Sequence, residues 1–135
     1  MKKFDNFRSN LAVLETAKEQ DLENEFVISG IIDKFFLQFE LGWKVLKELL
    51  CFEGVATAKN GSPREIIKEA YKYYACIEEE IWLSMLAQRN NMAHLYDGAA
   101  AKELMQKILA EYIPAFRKLE KSILERYGDS LDAMK

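Results

Sequence analysis

Apolar residues recur at spacings of three and four along nearly the whole chain, which is the periodicity of one face of an α-helix. A first helix carries such residues from Phe4 to Leu14, and polar residues interrupt the pattern at 21–24. A second, longer helix ends near Gly54, and its apolar stripe is wider than one neighbouring helix would cover. The stripe consists of Ile28, Ile31, Ile32, Phe35, Phe36, Phe39, Trp43, Leu46 and Leu50. We expect the stripe to belong to the core and its surplus to form an oligomer interface.

Capping residues predict where the next two helices begin. Ser62 as N-cap, Pro63 at the first helical position and Glu65 at the third form a capping box that starts a third helix. A fourth helix begins with the acidic run 78–80, because carboxylates stabilise a helix N-terminus. One stripe of this helix should face protein. It consists of Trp82, Met85, Arg89, Met92 and Tyr96.

The last part of the pattern predicts a fifth helix from about Ala99 to Tyr127. Pro114 should kink it, because proline removes one backbone donor and clashes with the preceding turn, and Gly128 should end it. No stretch alternates like a β-strand, and six glycines and two prolines are too few for the turns of a β-sandwich or barrel. The 135 residues are therefore predicted to form one all-α domain, an antiparallel up-and-down bundle of about five helices.

Charge and cysteine content narrow the class of protein further. With 19 basic and 22 acidic residues the net charge is -3, so we expect no DNA partner, although RNA could bind at a local basic patch. Cys51 and Cys76 form no C-x-x-C motif and are interpreted as reduced thiols. No apolar run approaches the length of a membrane span, and the N-terminus lacks the apolar stretch of a signal peptide. We expect a cytoplasmic protein without a membrane partner.

His94 is the single histidine of the chain. This excludes a metal site built from two or three imidazoles, and the chain contains neither a P-loop nor a G-x-G-x-x-G motif. We therefore expect no metal and no cofactor. Any acid–base chemistry at an imidazole must pass through His94.

The densest polar cluster of the chain surrounds this histidine, between Gln88 and Asp97. On a continuous helix, Asn90 and His94 are i,i+4 neighbours and share a face. Arg89 and His94 would lie about 140° apart at helical pitch. They converge only if the arginine side chain reaches round the helix, if the helix unwinds before His94, or if a second copy meets this helix in a dimer.

Such a set of side chains suits metal-free cleavage of RNA. His94 could move the protons as a 2′-hydroxyl attacks the adjacent phosphate, and Arg89 could place a fixed positive charge on the phosphate oxygens. Asn90 could orient the imidazole or contact the phosphate. The alternative is purely structural: Asn90 and His94 form a polar pair at a helix end, and Arg89 is a salt-bridge partner.

Four motifs in order resemble the nucleotidyltransferase substrate-binding protein family, a branch of the HEPN superfamily, over roughly Phe4 to Leu124. They are Phe39-Glu40-Leu41-Gly42-Trp43-Lys44, Ser62-Pro63-Arg64-Glu65, Trp82-Leu83-Ser84-Met85 and Arg89-Asn90…His94-Leu95-Tyr96. The resemblance implies a bundle similar to the C-terminal bundle of kanamycin nucleotidyltransferase and a homodimer. It also implies a partner encoded nearby, a minimal nucleotidyltransferase (MNT) that binds ATP and magnesium.

The resemblance further implies a toxin–antitoxin pair, in which the HEPN chain is a metal-independent ribonuclease that the MNT chain neutralises. Arg89 and His94 match the R-x4-H ribonuclease motif, and Asn90 matches the polar residue that follows the arginine. Tyr96 completes R-x4-H-x-Y, in which the tyrosine resembles an acceptor for nucleotidylation. Two alternatives remain: a non-catalytic substrate-binding subunit, and a helical dimerisation module without a ligand. For both leading hypotheses we expect two copies of the fourth helix to meet near a two-fold axis.

Overall fold

The computed structural model describes residues 1–92 and 97–134, which form helices and contain no β-strand. The α-helices are α1 (Lys2–Leu14), α2 (Glu25–Phe52), α3 (Pro63–Tyr73), α4 (Glu79–Asn90), α5 (Gly98–Lys107) and α6 (Ile113–Tyr127). Single 3₁₀ segments follow α1 and α2 at Ala17–Glu19 and Ala56–Asn60, and another follows α6 at Gly128–Ala133. The helices pack against one another, so the predicted all-α bundle is confirmed.

Helix α2 lies at the centre of the bundle and contacts α1, α3, α4 and α5. Asn24 caps its N-terminus, where the side chain accepts hydrogen bonds from the backbone amides of Phe26 and Val27, which lack helical partners. Four neighbours explain the width of the predicted stripe, which is buried except at Phe36. Phe35 stacks on Tyr112 with ring centroids 4.9 Å apart. The predicted core role of α2 is confirmed.

A buried amide pair joins α1 to α2. The Nδ2 atom of Asn10 donates to Gln38 Oε1 at 2.7 Å and to the carbonyl of Lys34 at 3.0 Å. Gln38 Nε2 donates in turn to the carbonyl of Phe7 at 3.0 Å. Each buried amide group therefore has a partner, which removes the free-energy penalty of burying it.

The capping box at Ser62 is present as predicted. The Ser62 hydroxyl accepts from the Glu65 amide at 3.2 Å, and the Glu65 carboxylate accepts from the Ser62 amide at 3.1 Å. These hydrogen bonds lower the pKa of the Glu65 carboxyl, because they stabilise its charged form. Sequence-local contacts of this kind are the ones that a short motif can predict.

The single fifth helix expected from Ala99 to Tyr127 is instead two helices. A π-helical turn at Ile108–Tyr112 separates α5 from α6, and Pro114 lies in the first turn of α6. Proline has no N–H to donate to the carbonyl four residues earlier, so the break lies where that hydrogen bond is missing. Gly128, with φ +45°, ends α6 as predicted.

Some apolar side chains are exposed to solvent, among them Val13 on α1 and Phe26 and Leu37 on α2. Phe26 is 90% exposed. The oligomer interface expected on α2 stays a prediction. In the ranges 1–92 and 97–134, no helix is both long and apolar enough to cross a membrane.

Candidate active site at the end of α4

The position of α4 is set by a close approach to α2. Trp82 is fully buried, and its ring lies directly over Gly42. A Cβ atom at Gly42 would lie 3.1 Å from the Trp82 ring and 3.3 Å from the Phe7 ring, which leaves no room for a larger residue without movement. The hydroxyl of Ser84 adds a hydrogen bond of 2.7 Å to that of Tyr112. This packing brings the last turn of α4, two turns after Trp82, alongside the segment around Glu40.

Arg89 lies in that last turn and forms an ion pair with α2. Its Nε atom is 2.9 Å from Glu40 Oε1, and the arginine side chain remains 35% exposed. The second carboxylate oxygen of Glu40 accepts a hydrogen bond of 3.0 Å from Trp43 Nε1 and lies 3.9 Å from Lys44 Nζ. Glu40 is thus fixed by contacts within α2, and it in turn positions Arg89 on α4. The closest contact of the ion pair is made by the Nε atom of the guanidinium.

Helix α4 ends at Asn90, earlier than the sequence pattern predicts. Asn91 has φ −119° and ψ 53°, outside the helical region, and its amide bonds to the carbonyl of Gln88 at 3.3 Å. Of the alternatives that the sequence left open, this is a helix that ends before His94, so the i,i+4 relation of Asn90 and His94 on a continuous helix does not apply. Met92 was expected to face protein, but it is 53% exposed, because the helical register that would bury it has already ended.

His94 and Tyr96 lie outside the described residues, since the described chain stops at Met92 and resumes at Asp97. Their predicted roles and their relation to Arg89 stay predictions. Asp97 caps α5 by accepting a hydrogen bond of 3.0 Å from the Ala99 amide. Asn90 is exposed at the end of α4.

This arrangement presents one fixed cation that a ligand can reach. Glu40 restrains the Nε edge of Arg89, and the dipole of α4 favours a positive charge in its last turn. A phosphate could approach the terminal nitrogens, which match its oxygens in a planar fork. The salt-bridge role that the sequence left open for Arg89 is confirmed, and it is compatible with a phosphate contact.

The comparison with protein families agrees with this architecture. The family model described as nucleotidyltransferase substrate binding protein like matches residues 2–125, which is most of the chain. The chain belongs to this family. The resemblance found from the four motifs is confirmed at this level, and the family description links the chain to a nucleotidyltransferase. A search of the curated proteins finds no significant match.

This nucleotidyltransferase substrate binding protein-like chain also has a second polar cluster, which sequence analysis missed. It joins the ends of α2, α3 and α6. The hydroxyl of Tyr73 donates to Glu53 Oε2 at 2.6 Å, and the hydroxyl oxygens of Tyr74 and Tyr127 are 2.6 Å apart and share a hydrogen bond. The guanidinium of Arg126 lies 5.0–5.7 Å from the centroids of all three tyrosine rings.

Burial and hydrogen bonding perturb the phenols of this cluster. Burial raises the pKa of Tyr74, and its hydrogen bond to Tyr127 raises it further. Burial also raises the pKa of Tyr127, whereas the hydrogen bond to Glu53 is the main reason that the pKa of Tyr73 is raised. The sequence signals were two short runs, Tyr73-Tyr74 and Arg126-Tyr127. They lie more than 50 positions apart, so no local spacing relates them.

Proposed function

We propose that this chain is the HEPN subunit of an MNT–HEPN toxin–antitoxin pair and acts as a metal-independent endoribonuclease. The observation that carries the proposal is the restrained but accessible guanidinium of Arg89 at the end of α4, paired with Glu40, which itself accepts a hydrogen bond from Trp43. It immediately precedes the segment that contains His94. A cation fixed in advance stabilises developing negative charge without reorganisation during the reaction.

The proposed reaction uses one residue for charge and one for protons. The 2′-hydroxyl of the RNA attacks the adjacent phosphorus, and His94 accepts the hydroxyl proton. The new P–O bond closes a 2′,3′-cyclic phosphate, and the bond to the 5′-oxygen breaks. That oxygen takes a proton as it leaves, from the His94 of the second subunit in the proposed homodimer. Arg89 balances the charge on the phosphate oxygens, and Asn90 contacts the phosphate or the imidazole.

Control by the nucleotidyltransferase partner is proposed at Tyr96. Transfer of adenylate from the ATP of that partner to the Tyr96 hydroxyl would form an O–P bond and release pyrophosphate and the phenol proton. It would add bulk and negative charge two residues from His94. The added phosphate would compete with RNA for Arg89. The RNA substrate would then be excluded without any change to the catalytic side chains.

The test is cleavage of RNA by purified chain in the presence of a metal chelator. We expect His94→Ala to abolish both cleavage and growth inhibition, because no other imidazole is present to move the proton. Met92→Ala is the matched control, since it alters an exposed side chain of the same segment. Wild-type protein that is dimeric and leaves RNA intact, or a His94→Ala variant that cleaves normally, would contradict the proposal.

The second candidate is a non-catalytic subunit that binds the substrate of a nucleotidyltransferase. Its supporting observations are the net charge of -3, which does not favour RNA, and the family description. It predicts a stable complex with a nucleotidyltransferase whose activity is unchanged by His94→Ala. A correctly folded His94→Ala complex that loses activity would count against it.

A further inference from the structure

A pocket lies beside the second polar cluster, between the end of α3 and the last two turns of α6. Its volume is about 290 Å³, near the lower end of the range for small-molecule sites. The fully or almost fully buried side chains of Leu46, Leu49, Leu119 and Ile123 form an apolar part of its wall. No residue of α4 lines it, so this pocket is separate from the site around Arg89.

Polar groups converge on the same pocket. Tyr74 and Tyr127, whose hydroxyls share a hydrogen bond, both line it, as does Arg126. An apolar wall with a few fixed polar groups is the usual construction of a site that binds and orients a small molecule. The rings and the hydroxyl pair are held by contacts among three helices, so the pocket exists before any ligand arrives.

Arg126, at the pocket, differs from three other arginines of the described residues in having no ion-paired carboxylate. Arg8, Arg89 and Arg117 each pair with a carboxylate, at distances of 3.4, 2.9 and 2.8 Å. Among the ion pairs within 4.0 Å that the described residues form, none includes Arg126. Glu125 also lines the pocket, but it is highly exposed and lies 4.0 Å from Lys121. The guanidinium of Arg126 lies against three tyrosine rings, and the carboxylate of Glu53, which accepts the hydrogen bond from Tyr73, acts on its charge from beyond ion-pair distance.

We propose that this pocket binds a small amphipathic oxyanion, a carboxylate or phosphate ester on a compact apolar body, with the oxyanion on Arg126. The apolar body packs against the leucine and isoleucine wall, and the paired hydroxyls of Tyr74 and Tyr127 fix its orientation. The planar guanidinium suits either oxyanion, because both accept its hydrogen bonds in pairs. The inference does not rest on nuclease activity, since binding is measured without RNA.

The test compares three probes that share one apolar body: 1-naphthoate, 1-naphthyl phosphate and the neutral 1-naphthalenemethanol. Calorimetric titration of the full chain should show that at least one anion binds about ten-fold or more tightly than the alcohol. The two anions distinguish a carboxylate site from a phosphate site. Amide chemical shifts in the NMR spectrum should change at the ends of α3 and α6.

Three variants make the assignment specific. Arg126→Gln should lower the affinity for the preferred anion about ten-fold and leave the weak binding of the alcohol unchanged. Arg117→Gln is the matched control, because it removes the same charge from α6 on the opposite face of the helix, nine residues away. Ser122→Phe, which places a ring in the pocket, should abolish binding of all three probes. Thermal melting of each variant verifies that it is folded.

The proposal has clear contrary outcomes. Absence of binding by all three probes to folded wild-type protein would show that the pocket is not a site for this class of ligand. Equal affinity for the alcohol and both anions, or an Arg126→Gln variant that binds the anion as wild type does, would overturn the oxyanion assignment.

Discussion

Two arginines, each in the last turn of a helix, have opposite surroundings. Arg89 at the end of α4 is held by the carboxylate of Glu40, whereas Arg126 at the end of α6 lies against three tyrosine rings. A carboxylate positions an arginine and offsets its charge, but aromatic rings position it and leave the charge in place. The first arrangement suits a group that meets a phosphate briefly during a reaction. The second suits a group that keeps a bound anion.

Of the effects that distinguish the two regions, the largest is expected on the rate of RNA cleavage. Arg89→Gln should lower the rate about 10²-fold or more, because it removes the fixed charge from the phosphate. The measurement is cleavage of a fluorogenic RNA in chelator. Arg117→Gln loses an equally ion-paired arginine from α6 and should cleave at the wild-type rate. If Arg89→Gln and Arg117→Gln behave alike, Arg89 has only the structural role of a salt-bridge partner.

The two regions also differ in what the sequence could predict. Arg89 was found because the chemistry of Arg89, Asn90 and His94 is concentrated in one short run. Its partner Glu40 was quoted within a motif but was not recognised as a contact, since 49 positions separate the two residues. The tyrosine cluster had no local motif at all. It forms only when the ends of three helices meet, and this depends on packing rather than on spacing.

Local signals predicted local structure well, whereas apolar periodicity alone misplaced the end of α4. The capping box at Ser62 and the helix end at Gly128 each depend on a few consecutive residues, and both are confirmed. The apolar pattern continued past Asn90, but the backbone leaves the helix at Asn91. Apolar periodicity records which side chains are suited to burial. It does not record where the backbone hydrogen bonds stop.

The close approach of α2 to α4 offers the next test, because it places Arg89 and leaves the tyrosine cluster alone. Gly42→Ala should lower the free energy of unfolding by about 1–3 kcal/mol, since the new methyl group meets the rings of Trp82 and Phe7. Urea unfolding measures this change. RNA cleavage should fall as well, because α4 must shift relative to Glu40.

Gly30 is the matched control in the same helix. No atom lies within 4 Å of a Cβ atom added there, so Gly30→Ala should stabilise the protein by about 0.5–1 kcal/mol. Two alanine substitutions in α2 should therefore have opposite signs. A Gly42→Ala variant that is as stable as Gly30→Ala would show that the contact with Trp82 relaxes easily and does not fix the position of α4.

A smaller effect is expected at the tyrosine cluster. Tyr74→Phe removes one member of the buried hydroxyl pair and leaves the Tyr127 hydroxyl without that partner. The free energy of unfolding should fall by about 1–2 kcal/mol. Tyr73→Phe, which removes an exposed hydrogen bond to Glu53, should cost about 0.5 kcal/mol or less. Equal costs for the two variants would mean that burial does not distinguish the two hydroxyls.

The smallest effect is expected in the pH dependence of the free energy of unfolding, and it arises from the tyrosine cluster. The pKa of Tyr74 and the pKa of Tyr127 are raised in the folded protein, mainly by burial, so folding disfavours the ionised phenols. Their contribution to stability is fully present below the unfolded pKa of about 10 and is lost as the pH rises beyond it. Between pH 10 and 11.5, the free energy of unfolding of the wild type should fall by about 1–2 kcal/mol more per pH unit than that of the double variant Tyr74→Phe/Tyr127→Phe. Every ionisable group that the two proteins share contributes to both curves, so the difference isolates the two phenols. Parallel curves for the two proteins would contradict the raised pKa values and would mean that water reaches the hydroxyl pair freely.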